Sequence, residues 1–191
     1  MFAPVLIAYS SRTGSTLEVA EAIAKVLRRT RLTVHVTRMR DVQSLDQFGS
    51  IILGTPIYVG ELPREVHRFI ARFRTPLAGL PSWMFVLGPV EGRPGEFGMS
   101  ANQAGRELAQ FPWFRPVEIK ILGGRFDIDA LPFPFNLGRR LLPSRFAGLP
   151  HTDLRNWSEI NTWATLLSWR IKPVASRLAE LEFAPEELLA G

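Results

Sequence analysis

The chain has 191 residues and a formal charge of +5, with 46% apolar and 21% charged residues. This balance indicates a globular protein that is long enough to bury a sizeable core, and it argues against a disordered chain. Because the sequence contains no cysteine, disulfides, thiolate nucleophiles and iron–sulfur ligation are excluded, and any redox chemistry requires a bound organic cofactor.

The start of the chain and its hydropathy bear on its location. The first four residues carry no Lys or Arg ahead of an apolar stretch, which argues against a secretory signal. No run of about 18 uninterrupted apolar residues occurs, so we expect no membrane-spanning helix and a cytoplasmic location. The positive charge fits either solubility with weak affinity for anions, or a specific anionic ligand or membrane surface. We expect no nucleic-acid partner.

Hydrophobic patterning predicts five strands. Short apolar runs that stop at small residues, Gly or Pro are typical of buried parallel strands, whereas alternation indicates a more exposed strand. The five predicted strands cover residues 4–10, 32–39, 50–56, 82–88 and 117–123. Helical spacing of apolar residues predicts helices over 15–27, 64–73 and 101–111, and the Gly- and Pro-rich stretch 88–98 is predicted to be a loop.

The last third of the sequence changes character. Residues 124–150 are rich in Phe, Arg, Gly and Pro and have no clean period. Asn156 and Glu159 then form a capping-box pattern that begins a long amphipathic helix over 156–182, which we expect to bend near Pro173. Strand and helix alternate five times, which predicts an α/β fold with a parallel sheet covered on both faces. With no repeat or long linker, residues 1–191 are predicted to form a single domain.

The loop between the first strand and the first helix, residues 10–16, carries the clearest chemical signal. Ligands of open α/β sheets bind beyond the carboxyl ends of the strands, where a helix N-terminus offers N–H groups to an anion. Gly14 permits a tight turn, and Arg12 adds a positive charge. Ser10 precedes the hydroxyl donors Ser11, Thr13, Ser15 and Thr16.

Two common phosphate-binding motifs are absent from this loop. It has neither the Gly-x-x-x-x-Gly-Lys of ATP-binding loops nor the Gly-x-Gly-x-x-Gly of dinucleotide-binding loops. A hydroxyl-rich loop suits a terminal phosphate monoester. The alternative is that Ser and Thr only cap the helix.

The segment Ser11-Arg-Thr-Gly-Ser-Thr16 resembles the Ser/Thr-x-Thr-Gly-x-Thr phosphate loop of flavodoxins, and the likeness covers roughly residues 3–182. It implies a doubly wound, five-stranded parallel sheet in the order 2-1-3-4-5, with the phosphate of FMN bound by residues 11–16. Tyr58 is then expected to stack on the isoalloxazine ring; the alternative is that it packs on the following helix. The other residues expected to meet the flavin are Pro56, Ile57, Val59 and Gly60 after the third strand, and Gly88, Pro89, Val90 and Phe97 after the fourth.

Within that family, the chain most resembles the flavodoxin-type, quinone-dependent protoporphyrinogen oxidases. The likeness rests on Ser11-Arg12 and Gly14 in the phosphate loop, and on Gly123-Gly-Arg-Phe, where a long insert after strand 5 (about residues 124–150) begins. It also rests on His151-Thr-Asp-Leu-Arg-Asn-Trp before the last helix. It implies an FMN-dependent oxidoreductase that oxidises protoporphyrinogen IX with a quinone acceptor in haem biosynthesis.

The insert has its own physical interpretation. Apolar side chains interleaved with arginines suit a flat apolar ligand that bears carboxylates, and also an anionic membrane surface where quinone resides. The alternative is a packed lid or a contact between subunits of a homo-oligomer. The residues in question are Phe126, Phe133, Phe135, Leu141, Leu142 and Phe146, with Arg125, Arg139, Arg140 and Arg145.

Two alternatives to this enzyme remain open. One is an electron shuttle or partner-binding module without its own substrate, and the other is an interaction domain with this fold that has lost its flavin. Electron-carrying flavodoxins are typically acidic, and this chain is basic. No catalytic acid or base and no metal site is indicated, because His35 and His67 lie in a predicted strand and helix, where a structural role is expected; His151, at the end of the insert, is the more interesting candidate.

Overall fold

The computed structural model describes residues 3–58, 60–126 and 152–182, with side chains described up to residue 172 of the last range. In these ranges, five strands form one parallel sheet in the order β2-β1-β3-β4-β5, which confirms the predicted fold and strand order. The strands are β1 (Val5–Tyr9), β2 (Val34–Arg38), β3 (Ser50–Pro56), β4 (Ser82–Leu87) and β5 (Glu118–Leu122).

Helices cover both faces of the sheet. They are α1 (Ser15–Arg29), α2 (Arg64–Arg72), α3 (Arg74–Gly79), α4 (Glu96–Leu108) and α5 (Trp157–Glu182). On one face, α1 and α5 bury residues such as Ile23 and Leu167 against β4. On the other, α2 and α4 bury residues such as Ile70 and Leu108. Every residue of β3 and β4 is buried, which explains why both strands appear in the sequence as continuous apolar runs.

Three details of the predicted element order are wrong. Between β2 and β3 the chain forms only a short 3-10 helix, Met39–Asp41, so the alternation of strand and helix is incomplete. The helix α3 was not predicted; its Pro76 lies in the first turn, where proline removes no helical hydrogen bond. The helix α4 begins at Glu96, within the predicted loop, because the Glu96 carboxylate organises the residues before it.

A small antiparallel pair joins the two ends of the insert. Its strands are β6 (Arg125–Phe126) and β7 (Thr152–Asp153), with Phe126 directly opposite Thr152. Gly123 precedes this pair, and a Cβ atom there would collide with the Leu154 backbone. The close approach of the two chain segments therefore depends on glycine at this position.

The helix α5 begins where its sequence pattern predicts, but with only half of the predicted capping box. The Asn156 side chain accepts a hydrogen bond from the Glu159 N–H at 3.1 Å, while the Glu159 carboxylate pairs with Lys120 at 2.7 Å instead of completing the capping box. The helix continues through Pro173. Among the helices of the described ranges, none is both long enough and apolar enough to cross a bilayer.

Candidate functional site

The helix α1 begins at the carboxyl end of β1 without a side-chain cap. Its N-cap residue is Gly14, at φ 91°, which has no side chain that could accept a hydrogen bond from the first turn. The first N–H groups of a helix have no partner within the helix, and they carry the positive end of its dipole. A Cβ atom at Gly14 would have no neighbour within 4 Å, so this side of the loop is open. The arrangement can bind an anion.

The hydroxyl groups of the loop differ in what they bond. The Ser10 hydroxyl donates to Glu65 of α2 at 2.6 Å, and the Ser11 hydroxyl accepts a bond from the Gly14 N–H at 3.0 Å. Thr16 is fully buried, and its hydroxyl has no hydrogen-bond partner among the described residues. Among the described residues of this loop, Thr16 thus has a buried hydroxyl without a partner.

Tyr58, after β3, lies against the loop of residues 10–16. The Arg12 guanidinium carbon is 4.9 Å from the centre of the Tyr58 ring, a cation–π distance. Burial raises the pKa of the Tyr58 hydroxyl, and the Arg12 charge and backbone offset only part of that rise. The Tyr58 ring thus contacts the loop through Arg12; its stacking on a flavin stays a prediction.

The other residues predicted after β3 lie around Tyr58. Pro56 is buried at the end of β3, and the Ile57 N–H donates to the Leu87 carbonyl at 2.9 Å, which ties this loop to β4. Gly60, at φ 85°, lies against Gln103 of α4. Val59 lies outside the described residues.

The loop after β4 is organised by Glu96. Its carboxylate accepts four backbone N–H bonds at 2.8–3.3 Å, from Val90, Glu91, Gly92 and Arg93. Burial raises the pKa of Glu96, but these four donors lower it by more, so the net direction is downward. A carboxylate at the start of a helix also interacts favourably with the helix dipole.

Phe97, the residue after Glu96, was predicted to meet the flavin. Its side chain is 46% exposed.

The same loop contacts the base of the insert. Gly88 donates its N–H to Leu122 at 3.1 Å, and the Pro89 carbonyl accepts the Gly124 N–H at 2.6 Å. The Val90 carbonyl accepts the Thr152 hydroxyl. The segment 88–90, predicted to line the flavin, therefore lies beside β6 and β7.

An ion-pair cluster attaches the end of the insert to α1. The Arg155 side chain is buried and bonds Asp153 through two nitrogens, at 2.8 and 2.6 Å, and Glu18 at 2.7 Å. Arg125 lies 3.5 Å from Glu18. Hydrogen bonding to Arg155 holds the pKa of Asp153 below its usual range, and hydrogen bonding to Asp153 raises that of Arg155. Both ends of the insert thus contact the first turn of α1.

Sequence reasoning missed the residues that organise this region. Glu96, Arg155, Asp153 and Glu18 carry no motif, because each acts through partners set by the fold. The available signals were weak: one carboxylate follows a Gly-rich loop, and an Asp-x-Arg pair precedes the last helix.

The two described histidines have contacts within the fold. His35 packs edge-on against Phe48, and the His67 Nε2 lies 3.0 Å from a Glu107 oxygen. His151 and residues 127–150 lie outside the described residues. Over the ranges that the structure covers, no group of three His, Asp or Glu side chains could hold a metal ion.

Comparison with known proteins points to one family. The model of the flavodoxin domain family matches residues 6–134. Protoporphyrinogen IX dehydrogenase (quinone) of Escherichia coli strain K12 is 22% identical over 121 residues, covering 62% of this chain and 67% of that protein.

Solved structures show the same fold. A flavodoxin from the domain Archaea matches with a TM-score of 0.52 at 13% identity, covering 88% of this chain and 99% of its own. The flavodiiron protein of Giardia intestinalis matches with a TM-score of 0.58 at 12% identity, covering 92% of this chain and 37% of its own.

Proposed function

The chain belongs to the flavodoxin domain family, whose cofactor is FMN, and from this premise we propose that it is an FMN-dependent oxidoreductase that oxidises protoporphyrinogen IX with a quinone as acceptor. The observation that carries the flavin part is the end of β1, where α1 begins uncapped and the Thr16 hydroxyl is buried without a partner. The relative from Escherichia coli supports the substrate part.

The residues at the start of α1 fit a phosphate. The first-turn N–H groups and the Thr16 hydroxyl are donors, and a phosphate monoester has three acceptor oxygens. A buried hydroxyl without a partner costs about 1–3 kcal/mol, which a bound phosphate would offset. Arg12, exposed beside this turn, adds a positive charge. We therefore assign the FMN phosphate to residues 11–16.

The two later loops would hold the ring. In this proposal Tyr58 stacks on the isoalloxazine, Pro56, Ile57, Val59 and Gly60 flank it, and Gly88–Val90 with Phe97 form the opposite side. FMN, when bound, accepts and returns electrons reversibly. The chain's own contribution is to orient the ring and to exclude water; no side chain is required as an acid or base.

The insert would hold the substrate. Arg155 attaches one end of the insert to Glu18 of α1, and both ends bond the segment after β4, Thr152 through the Val90 carbonyl and Gly124 through the Pro89 carbonyl. These contacts support the proposal that the insert lies next to the cofactor. The arginines in its sequence match the carboxylates of a porphyrinogen. We propose that its apolar residues also allow peripheral association with the inner face of the membrane, where quinone resides.

An anaerobic turnover assay tests the substrate assignment. Purified, FMN-loaded protein is mixed with protoporphyrinogen IX and a menaquinone analogue, and porphyrin fluorescence is followed. The proposal predicts formation of protoporphyrin that depends on both the protein and the quinone. Retained FMN without turnover would refute the substrate and would favour an electron-transfer or partner-binding module instead. A colourless protein that ignores added FMN would refute the flavin assignment.

A further inference from the structure

A cavity of about 620 Å³ lies between the ends of β1 and β2 and the helix α2. Its lining contains five arginines and a single carboxylate, Glu65, above a floor formed by the buried side chains of Met39 and Phe69. The volume is in the range of small-molecule sites. The arginines are Arg12, Arg38, Arg40, Arg68 and Arg72.

The positive charges of this cavity are poorly compensated. The Glu65 carboxylate already accepts the Ser10 hydroxyl at 2.6 Å and the Arg40 N–H at 3.3 Å. Outside the lining, Asp41 lies 3.6 Å from Arg40. In the part of the chain that the structure describes, Arg68 has no hydrogen bond or ion pair. The five arginines therefore leave an excess of about three to four positive charges, and about two to three of these remain when Arg12 pairs with the FMN phosphate.

Arg38 is directed into this arrangement by the fold. It ends β2 opposite Tyr9 of β1, and one of its terminal nitrogens donates to the Ser11 carbonyl. Its Nε is buried and has no partner among the described residues. An unpaired donor on a charged, half-buried guanidinium is costly unless an anion binds it.

The cavity borders the site assigned to the FMN phosphate but uses other donor groups. That site uses the N–H groups of α1 and the Thr16 hydroxyl, whereas the cavity lining contains none of residues 13–16. Arg38 donates to the Ser11 carbonyl and therefore contacts a carbonyl oxygen of the loop, not the N–H groups that are proposed to bind the FMN phosphate. The two sites share only Ser11 and Arg12.

We propose that this cavity binds a second ligand that carries a diphosphate group, of the nucleoside diphosphate class. At neutral pH a terminal phosphate carries about −1.5 to −2 charges and the inner phosphate of a diphosphate adds about −1. A diphosphate therefore comes close to compensating the charge excess, whereas a monophosphate leaves about one positive charge or more uncompensated. Planar guanidinium groups bond phosphate oxygens through two nitrogens at once. The apolar floor of Met39 and Phe69 suits the organic part of such a ligand.

Calorimetric titration of the FMN-loaded protein tests this proposal. ADP, AMP, adenosine and pyrophosphate are titrated separately at about 50 mM and about 200 mM salt. We expect ADP to bind at least tenfold more tightly than AMP, adenosine not to bind, and added salt to weaken ADP. If pyrophosphate binds as tightly as ADP, the cavity is a site for free diphosphate. If ADP binds more tightly than pyrophosphate, it is a site for a nucleotide. Both results support a diphosphate site.

A matched pair of double variants separates the cavity from general charge. R68Q with R72Q removes two exposed arginines of α2 and should weaken ADP binding at least tenfold, with FMN absorbance unchanged. The thermal midpoint should fall only slightly, because Arg72 also donates to the Gln43 carbonyl at 3.2 Å from an exposed position. R29Q with R106Q removes the same charge from exposed positions outside the cavity, and should change ADP affinity less than twofold.

Several outcomes would overturn the proposal. They are an absence of ADP binding at millimolar concentration, equal losses in both double variants, and displacement of FMN by ADP. Binding of a poly-glutamate peptide that R68Q with R72Q abolishes, without ADP binding, would reassign the surface to an acidic protein. None of these measurements depends on turnover of protoporphyrinogen. A protein without that activity can still bind ADP in the cavity, so the two proposals fail independently.

Discussion

Removing the Thr16 hydroxyl should have opposite effects on the stability of the FMN-free protein and on FMN affinity. Thr16→Val keeps the shape of the side chain but removes a buried hydroxyl that has no partner. We expect the FMN-free protein to gain about 1 kcal/mol in unfolding free energy, and FMN affinity to fall by about 1.5–3 kcal/mol, because the lost bond is to a charged phosphate. Urea unfolding and fluorescence titration measure the two quantities.

Thr30→Val is the matched control for this variant. The Thr30 hydroxyl donates to the Leu27 carbonyl at 2.7 Å at the other end of α1. Its loss should lower stability by about 1 kcal/mol and leave FMN affinity unchanged. A Thr16→Val protein that binds FMN as tightly as the parent would remove Thr16 from the phosphate site.

The sequence identified the hydroxyl-rich loop but not which of its hydroxyls stay free. Ser10 bonds Glu65, which is 55 positions away in the chain, and no local pattern reveals such a partner. Tyr58 shows the same limit, because its contact with Arg12 arises from the pairing of β1 with β3. Residue type was predictable here, whereas the bonding partner depends on the assembled sheet.

The attachment of the insert to α1 depends on Arg155. Arg155→Gln leaves Asp153 and Glu18 without their guanidinium partner, but both carboxylates are partly exposed. We therefore expect a loss of about 2 kcal/mol in unfolding free energy, less than the ~3–5 kcal/mol typical of a fully buried pair. Arg93→Gln, which breaks an exposed pair with Glu91 at 2.6 Å, should cost less than about 1 kcal/mol. Equal losses would show that the Arg155 cluster is an ordinary surface ion pair.

Asp153 gives this cluster a defined pH dependence. Hydrogen bonding to Arg155 lowers the pKa of Asp153 in the folded protein, so the unfolded chain takes up the proton first, near pH 3.9. The stabilisation is complete above that pH and is lost as pH falls through the lower, folded pKa. Asp153→Asn should therefore be less stable than the parent at about pH 7, and the difference should shrink as the pH falls below about 3.9. A difference in urea midpoint that is constant with pH would contradict this assignment.

Elements were predictable where a local pattern decides them. The buried strands β1, β3 and β4 appear as apolar runs, and Asn156 marks the start of α5. The helix α4 began five residues earlier than predicted, because four N–H bonds to Glu96 order a segment whose glycines and prolines indicate a loop. The pair β6–β7 escaped prediction because each strand has two residues and the partners are separated by the whole insert.

The whole molecule divides into a flavodoxin-like core and an insert whose ends meet. Phe126 and Thr152 are directly opposite in β6–β7, so an Asn-Gly turn could replace residues 127–151 without moving either strand. We expect this variant to fold and to bind FMN like the parent while losing protoporphyrinogen turnover. Retained turnover would remove the insert from the substrate site.

The overall topology was predictable because the order of elements along the chain and the right-handed crossover rule leave few alternatives for a parallel sheet. The position of the phosphate site at the end of β1 follows from the same topology. The arginine-lined cavity was not predictable, because its residues come from three separate segments that only the folded sheet brings together.

Comparing the affinities of FMN and riboflavin tests most directly whether the start of α1 binds a phosphate. The two molecules share the ring and differ in the phosphate, so the ratio isolates the group that the α1 N–H donors and Thr16 are proposed to bind. With several charge-assisted bonds of about 1.5–3 kcal/mol each, FMN should bind at least a hundredfold more tightly than riboflavin, as measured by fluorescence titration. Equal affinities would contradict the account.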